Sequence, residues 1–149
     1  MKTGEFCNRS VVIVEKDDSA LRAAQLMREF HVGDVVIVTS SAGKHMPLGI
    51  VTDRDLVLEV MALSVDPEMV SVADLFTAPR LVTAWVDDDL EDTLDAMRAN
   101  GVRRMPVVER DGSLAGIVTV DDILDEVADQ LTDIARLVSC QQRREQQLR

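Results

Sequence analysis

The chain carries the same short sequence twice, and this repeat constrains the fold more than any other feature. Residues 49–55 read Gly-Ile-Val-Thr-Asp-Arg-Asp, and residues 116–122 read Gly-Ile-Val-Thr-Val-Asp-Asp. Upstream, the Asp-Asp pair at 17–18 returns at 87–88, which is 70 positions later, whereas the motif itself returns after 67. An internal repeat predicts two similar structural units, and any site in one copy must be sought in the other.

Each copy is predicted to form a strand, a helix, two more strands and a second helix, from the spacing of its apolar residues. In the first copy the predicted strands are 11–14, 35–38 and 48–51, and the predicted helices follow a cap at Asp18 or Ser19 and span 53–63. In the second copy the predicted strands are 81–84, 105–108 and 114–118, and the predicted helices are 89–100 and a final one from Val120 onward. The loop 39–47 is predicted to be three residues longer than its counterpart, which holds the hairpin signal Asp111-Gly112.

This pattern predicts an α/β fold of the α+β type. Each copy has roughly 65 residues, which is marginal for a core of its own, so the two copies are expected to pack together. We place the first repeat at 1–64, a linker at 65–79, the second repeat at 80–130, and a long C-terminal amphipathic helix with a basic tail at 131–149.

Charge and composition narrow the classes of partner. A formal net charge of −11 disfavours nucleic acid, whose phosphates are bound by clustered lysine and arginine. No apolar run approaches the ~18 residues that span a bilayer, and the first ten residues lack the apolar stretch of a signal peptide. Cys7 and Cys140 form neither a metal spacing nor a disulfide framework. We therefore predict a cytoplasmic chain without a fused effector domain.

The repeated motif has two physical readings that are compatible. In each copy a strand ends at Thr and a helix begins, with Asp three residues after the Thr, which is the spacing of a capping box. A helix N-terminus also offers N–H donors to an anion, and a hydroxyl with a carboxylate suits a sugar diol beside a phosphate. The preceding glycine lets another backbone or a flat ring come close.

A β-α-β-β-α unit that ends in Gly-apolar-apolar-Thr-x-x-Asp resembles a CBS domain, and two in tandem resemble a CBS pair, or Bateman module. The resemblance covers about residues 8–130. It implies two repeats packed with pseudo-twofold symmetry and two clefts that bind adenosine-containing ligands. It also implies that Asp55 and Asp122 accept hydrogen bonds from ribose hydroxyls, and that Thr52 and Thr119 contact ribose or phosphate.

Phosphate needs positive charge, and the two copies differ in where they supply it. Arg54 lies in the first motif, and the segment Arg103-Arg104-Met105-Pro106 matches a stretch where members of the resembled family place cations on phosphates. The first copy has Gly33-Asp34 at the position of Arg103-Arg104, and an acid there opposes phosphate. The alternative is that these arginines pair with surface carboxylates. We expect affinities that differ by at least about tenfold between the clefts, since a charge-assisted hydrogen bond contributes about 1.5–3 kcal/mol.

The final helix has an apolar seam with heptad spacing that stops at residue 138. Such a seam packs either against the sheets of its own chain or against the helix of a second copy. We predict a homodimer interface formed by five seam residues: Leu124, Val127, Leu131, Ile134 and Val138.

No arrangement for catalysis is visible. His31 and His45 have no cysteine or carboxylate at metal-ligand spacing, and the sequence shows no Ser-His-Asp order. We therefore predict neither enzymatic activity, nor a bound metal, nor a prosthetic group.

The resemblance implies a regulatory module that binds AMP, ADP or ATP, senses energy state and signals through the packing of a homodimer or to an effector protein. Three alternatives stay open. The first is a sensor of NAD(H) or S-adenosylmethionine, which also contain adenosine. The second is a structural dimerisation module with degenerate clefts. The third is nucleic-acid binding through the tail residues Arg143, Arg144 and Arg149.

Overall fold

The computed structural model describes residues 1–75 and 81–149. Six strands are present: β1 Ile13–Glu15, β2 Asp34–Ser41, β3 Lys44–Thr52, β4 Ala84–Trp85, β5 Arg104–Val108 and β6 Leu114–Thr119. The α-helices are α1 Thr3–Phe6, α2 Ala20–Phe30, α3 Asp53–Leu56, α4 Leu90–Asn100 and α5 Val120–Gln147. A π-helical turn, Val57–Met61, continues α3, and a 3-10 turn covers Val72–Asp74. The predicted order of strand, helix, two strands and helix is confirmed in both copies.

Each repeat forms a three-stranded sheet of the same design. The strand orders are β1-β2-β3 and β4-β5-β6, with the first pair parallel and the second pair antiparallel in each sheet. Both antiparallel pairs shift register at equivalent places, after Ile37 and after Val107. The two sheets are therefore copies of one another down to their irregularities.

The apolar pattern of β2 explains why the two repeats form one folding unit. Val35 and Ile37 point into the core of the first repeat, beneath α2. Val36 and Val38 point the other way and pack with Ile117 of the second sheet. Because successive side chains of a strand face opposite sides, a strand buried on both sides needs an unbroken apolar run. The expectation that the repeats pack together is confirmed.

Helix ends follow the expected capping chemistry. The Ser19 hydroxyl accepts a hydrogen bond from the Arg22 N–H at 3.1 Å, so Ser19 rather than Asp18 is the N-cap of α2. Gly101 ends α4 in the left-handed region with φ +63°, as expected for a C-terminal glycine.

The prediction of a long loop at 39–47 is wrong. β2 runs to Ser41 and β3 begins at Lys44, so the three extra residues lengthen a hairpin. Its turn consists of Ala42 and Gly43, which both have positive φ, +51° and +76°. A two-residue turn of this kind matches the twist of paired strands and lets the ladder continue to its tip. The shorter hairpin predicted at Asp111-Gly112 is confirmed, with the Glu109 N–H donating to the Ser113 carbonyl at 2.8 Å.

Four other boundaries differ from the predictions. β1 begins two residues later than expected and β4 begins three residues later. Only the residues that pair with β2 and β5 belong to the sheets. The helix predicted for 53–63 becomes π-helical at Val57 and ends at Met61. α5 stays helical through the predicted tail, to Gln147.

The segment before each repeat packs on the other repeat. The Thr3 N–H donates to the Asp88 carbonyl at 2.8 Å, and the Val72 N–H donates to the Asp18 carbonyl at 2.8 Å. These acceptors are repeat equivalents, so the exchange is reciprocal. The proposed division of the chain stays a prediction, and residues 76–79 of the linker lie outside the described residues.

Candidate functional site

The two repeated motifs adopt the same local geometry at the start of a helix. The Thr52 N–H donates to Asp55 Oδ2 at 2.9 Å, and the Asp55 N–H donates to Thr52 Oγ1 at 3.2 Å. In the second repeat, the Thr119–Asp122 distances for the same two bonds are also 2.9 and 3.2 Å. The capping box predicted from the spacing is confirmed in both copies.

The capping box uses only one carboxylate oxygen. Oδ2 of Asp55 and of Asp122 receives the capping bond, while Oδ1 of each accepts no hydrogen bond from the residues that the structure describes. An ionised carboxylate has about four acceptor sites on its two oxygens, so each Asp can cap its helix and still accept from a ligand.

A cavity of about 190 Å³ lies beside the second motif and is bounded by both repeats. Thr119 and Asp122 contribute from one side, and Ser10 and Asp34 contribute from the first repeat. An apolar groove of about 370 Å³ shares Ser10 with this cavity. The groove extends over the apolar side chains of α2, Leu26 and Phe30. A polar cavity beside an apolar groove is the usual composition of a small-molecule site.

Gly116 is explained by the close approach of another backbone. Asn8 pairs with Ile117 through two backbone hydrogen bonds of 2.8 and 2.9 Å. A Cβ at position 116 would stand 2.7 Å from the Asn8 carbonyl oxygen and 2.8 Å from Cys7 Sγ. The sequence offered two reasons for this glycine, the close approach of another backbone or of a flat ring. In the second copy the structure shows the backbone contact.

The repeat relation gives the composition of the cleft beside the first motif. Val32, Gly33 and Asp34 face the second motif, and their equivalents are Val102, Arg103 and Arg104. The equivalent of Ser10 is residue 80, which is outside the described range. We therefore expect a cleft in which Thr52 and Asp55 face Arg103 and Arg104.

The arginines of the predicted site are in two different situations. Arg104 Nη1 donates to Asp34 Oδ2, and the two side chains are only 36% and 23% exposed. Because Asp34 and Arg104 are repeat equivalents, this ion pair joins the two repeats across their approximate twofold axis. For Arg104 the alternative of carboxylate pairing is therefore what the structure shows. Arg54 and Arg103 are exposed and form no ion pair with the described part of the chain.

Two further predicted site residues lie inside the second repeat. Met105 is fully buried and belongs to its core, and Pro106 is buried in the same strand. Side-chain contacts from this stretch to a ligand therefore fall to Arg103 and Arg104. The assignment of all these residues to a nucleotide site stays a prediction.

The apolar seam of α5 is uncovered. Leu124, Val127, Leu131, Ile134 and Val138 are 37% to 63% exposed. Packing of these five side chains against the sheets of the same chain, one of the two readings of the seam, is therefore wrong. Earlier in the helix, Val120 and Ile123 do pack on the core of the second repeat, which anchors α5.

The structure offers little to metal or nucleophile chemistry. Within residues 1–75 and 81–149, no group of three histidine, cysteine or acidic side chains could hold a metal ion. Partial burial raises the pKa of the Cys7 thiol, which keeps it protonated and weakly nucleophilic. Among the described helices, none is long and apolar enough to cross a membrane.

Comparison with known proteins agrees with the repeat and the fold. A family model described as CBS domain matches residues 4–62 and 72–129. An uncharacterized protein of Methanopyrus kandleri is 36% identical over 124 residues, which are 83% of this chain and 61% of that protein. Hypoxic response protein 1 of Mycobacterium tuberculosis is 32% identical over 121 residues, which are 80% of each chain.

Solved structures extend this agreement to three dimensions. The crystal structure of hypoxic response protein I with two coordinated zinc ions has a TM-score of 0.73 at 28% identity, and covers 84% of this chain and 98% of that one. The cytosolic domain of the Mg²⁺ channel MgtE in complex with ATP has a TM-score of 0.67 at 26% identity, and covers 83% of this chain and 48% of that one.

Proposed function

Because the chain belongs to the family of CBS-domain proteins, with two repeats that form a CBS pair, we propose that it is a non-catalytic regulatory module that binds an adenine nucleotide. The observation that carries the proposal is the Thr–Asp pair beside a cavity that is lined by residues of both repeats. Oδ1 of the Asp remains available to accept a hydrogen bond from a ligand. The ATP bound to the related MgtE domain supports an adenine nucleotide as the ligand class.

The phosphates are best accommodated in the cleft beside the first motif. There Asp55 Oδ1 accepts no hydrogen bond within the described chain, which leaves it available to the ribose hydroxyls. Arg103 and Arg54 are exposed cations without a carboxylate partner in the described chain, so neither must break an ion pair to bind phosphate. AMP, ADP and ATP all meet this description, and the other adenosine ligands, NAD(H) and S-adenosylmethionine, are the competing candidates.

Binding between the repeats supplies a route to regulation. A ligand that touches both repeats stabilises the arrangement in which both can reach it, and only such differential affinity shifts a conformational equilibrium. The uncovered seam of α5 offers the surface on which that shift is transmitted, in a homodimer of the chain. We place this activity in the cytoplasm, with an effector protein as a second recipient of the signal.

Titration calorimetry of the full chain with AMP, ADP, ATP, NAD(H) and S-adenosylmethionine tests the proposal. We expect micromolar binding of an adenine nucleotide that Asp55→Ala abolishes. Asp55→Asn keeps an acceptor for the Thr52 N–H and should weaken binding without loss of the cap. Asp17→Asn, which removes an exposed charge outside the motif, is the matched control and should bind normally. Absence of binding across the panel by folded protein would favour the structural dimerisation module.

A further inference from the structure

The cavity beside the second motif has an unusual charge for a nucleotide site. Two carboxylates, Asp34 and Asp122, lie on its wall, and no lysine or arginine is among its described lining residues. Asp122 serves both the helix cap and, in the proposed function, the ribose. Asp34 has no acidic counterpart in the first cleft, where Arg104 holds the equivalent position.

Arg104, the cation that contacts the cavity wall through Asp34, is already engaged in an ion pair. Arg104 does not line the cavity, and its Nη1 donates to the carboxylate of Asp34, which does. Both side chains are more than half buried, so solvent screens this pair less than an exposed one. A ligand phosphate in the cavity would therefore meet the carboxylate of Asp34 before it could reach Arg104.

Three parts of the site suit three parts of an adenosine ligand. Thr119 and Asp122 suit the ribose, and the groove over Leu26 and Phe30 suits the base. The remaining wall, at Gly33 and Asp34, then faces the 5′ substituent. Like charges close together in a partly desolvated site repel, and Arg104, which does not line the cavity, offsets this repulsion only in part. This wall therefore disfavours a phosphate.

We infer that the cleft beside the second motif takes an adenosine ligand whose 5′ substituent carries no negative charge, and that Asp34 is the residue that sets this specificity. The inference rests on the proposed function, because it uses the same ribose contact in the second copy. It makes the two clefts different in kind: one takes a phosphate-bearing ligand and the other takes an uncharged or cationic adenosine derivative.

The test is a calorimetric titration of the full chain in the Asp55→Ala background, which disables the first cleft. The ligands are 5′-methylthioadenosine, which is uncharged, S-adenosylmethionine, which carries a sulfonium, and AMP. We expect at least one of the first two to bind at least about tenfold more tightly than AMP, and binding to disappear when Asp122→Ala is added. Their relative affinities decide between an uncharged and a cationic substituent.

Substitution of Asp34 separates its charge from its shape. Asp34→Asn removes the charge and releases Arg104, so AMP binding in the same background should rise at least about tenfold, with little change for 5′-methylthioadenosine. Arg104→Met leaves Asp34 unpaired and should weaken AMP further. Asp17→Asn, at an exposed carboxylate that does not line the cavity, is the control and should change neither ligand.

Two results would overturn the inference. One is AMP binding at the Asp122-dependent site that is equal with and without Asp34, and the other is no binding of any adenosine ligand there. Failure of the proposed function is distinct, because it appears as loss of the Asp55-dependent nucleotide site in the otherwise unchanged chain.

Discussion

The two repeats share a backbone and differ in the charge that each presents to a ligand. Their capping boxes have the same hydrogen-bond lengths, 2.9 and 3.2 Å, and their antiparallel strands shift register at equivalent residues. At the twofold axis, however, the first repeat supplies Asp34 and the second supplies Arg104. The duplicated motif keeps its capping geometry, whereas the charge at this position has changed sign. The ion pair between these equivalents also joins the repeats.

The helices that follow the two motifs differ as much as the clefts do. In the first repeat, α3 becomes π-helical and ends at Met61. In the second, α5 continues for 28 residues with an uncovered apolar seam. The same N-terminal cap therefore starts a short helix that stays within its repeat and a long helix that leaves it.

The largest expected effect concerns this long helix. Leu131→Glu combined with Ile134→Glu places two charges in the middle of the seam, and burial of unpaired charge in an interface is very costly. Light scattering should then give the mass of a monomer, where the unchanged chain gives that of a dimer. Thr132→Glu with Ser139→Glu adds the same charge on another face of α5 and should leave the dimer intact. A dimer that survives both pairs of substitutions would place the interface elsewhere.

The next effect tests whether the segment before β1, at Cys7 and Asn8, packs against β6 of the second repeat. Gly116→Ala puts a Cβ 2.7 Å from the Asn8 carbonyl oxygen, so the backbone must shift. We expect a loss of about 1–3 kcal/mol in the free energy of unfolding, or several degrees in Tm. Gly33→Ala is the control, because the nearest atom to its new Cβ is Asp53 Oδ2 at 3.4 Å, an ordinary contact. Equal melting temperatures for the two variants would argue against the docked segment.

The smallest effect concerns the tips of the two hairpins, which Lys44 and Asp111 join. A hydrogen bond from Lys44 is the main reason that the pKa of the Asp111 carboxyl lies far below its usual range, and hydrogen bonds from Ser113 add to this effect. The hydrogen bond between Lys44 and Asp111 also raises the pKa of Lys44. The lowered pKa of Asp111 adds to the free energy of unfolding at pH values above the unfolded-state pKa of about 3.9. This contribution is lost as the pH falls through the folded-state pKa. The raised pKa of Lys44 adds to the free energy of unfolding at pH values below the unfolded-state pKa of about 10.4. This contribution is lost as the pH rises through the folded-state pKa.

Both groups of this hairpin contact are exposed, so the effect on stability is small. Lys44→Gln should lower Tm at pH 7 by no more than about 2 °C, and by less at high salt. The difference from the unchanged chain should fade as acid protonates Asp111. Lys16→Gln, at an exposed lysine without an ion pair in the described chain, is the reference. A salt-independent loss would show that packing rather than charge joins the tips.

Local chemistry explains which parts of the fold the sequence predicts. Ser19, Gly101 and the two Thr–Asp pairs act within four residues of themselves, so their spacing determines the helix ends. The unbroken apolar run 35–38 likewise indicates a strand buried on both sides. The extended hairpin was missed because Ser40, Ser41 and Gly43 are turn formers, and the ladder that continues through them depends on pairing with β3.

Features that depend on distant parts of the chain were less predictable. The sequence gives Asp34 and Arg104 as equivalents, but not that they pair, because that contact depends on how the repeats pack. The docking of Thr3 against the second repeat also lacks a local signal, since residues 1–10 show no apolar period. For the site, the motif residues were identified correctly as a geometric pair, because a Thr and an Asp three residues apart at a helix start form a capping box.

The central claim is that the two clefts are not equivalent, and a titration with AMP tests it most directly. Calorimetry of the unchanged chain, Asp55→Ala and Asp122→Ala should give one AMP per chain, lost in Asp55→Ala and kept in Asp122→Ala. Two equal and independent AMP sites per chain, or loss of AMP in Asp122→Ala alone, would contradict the account.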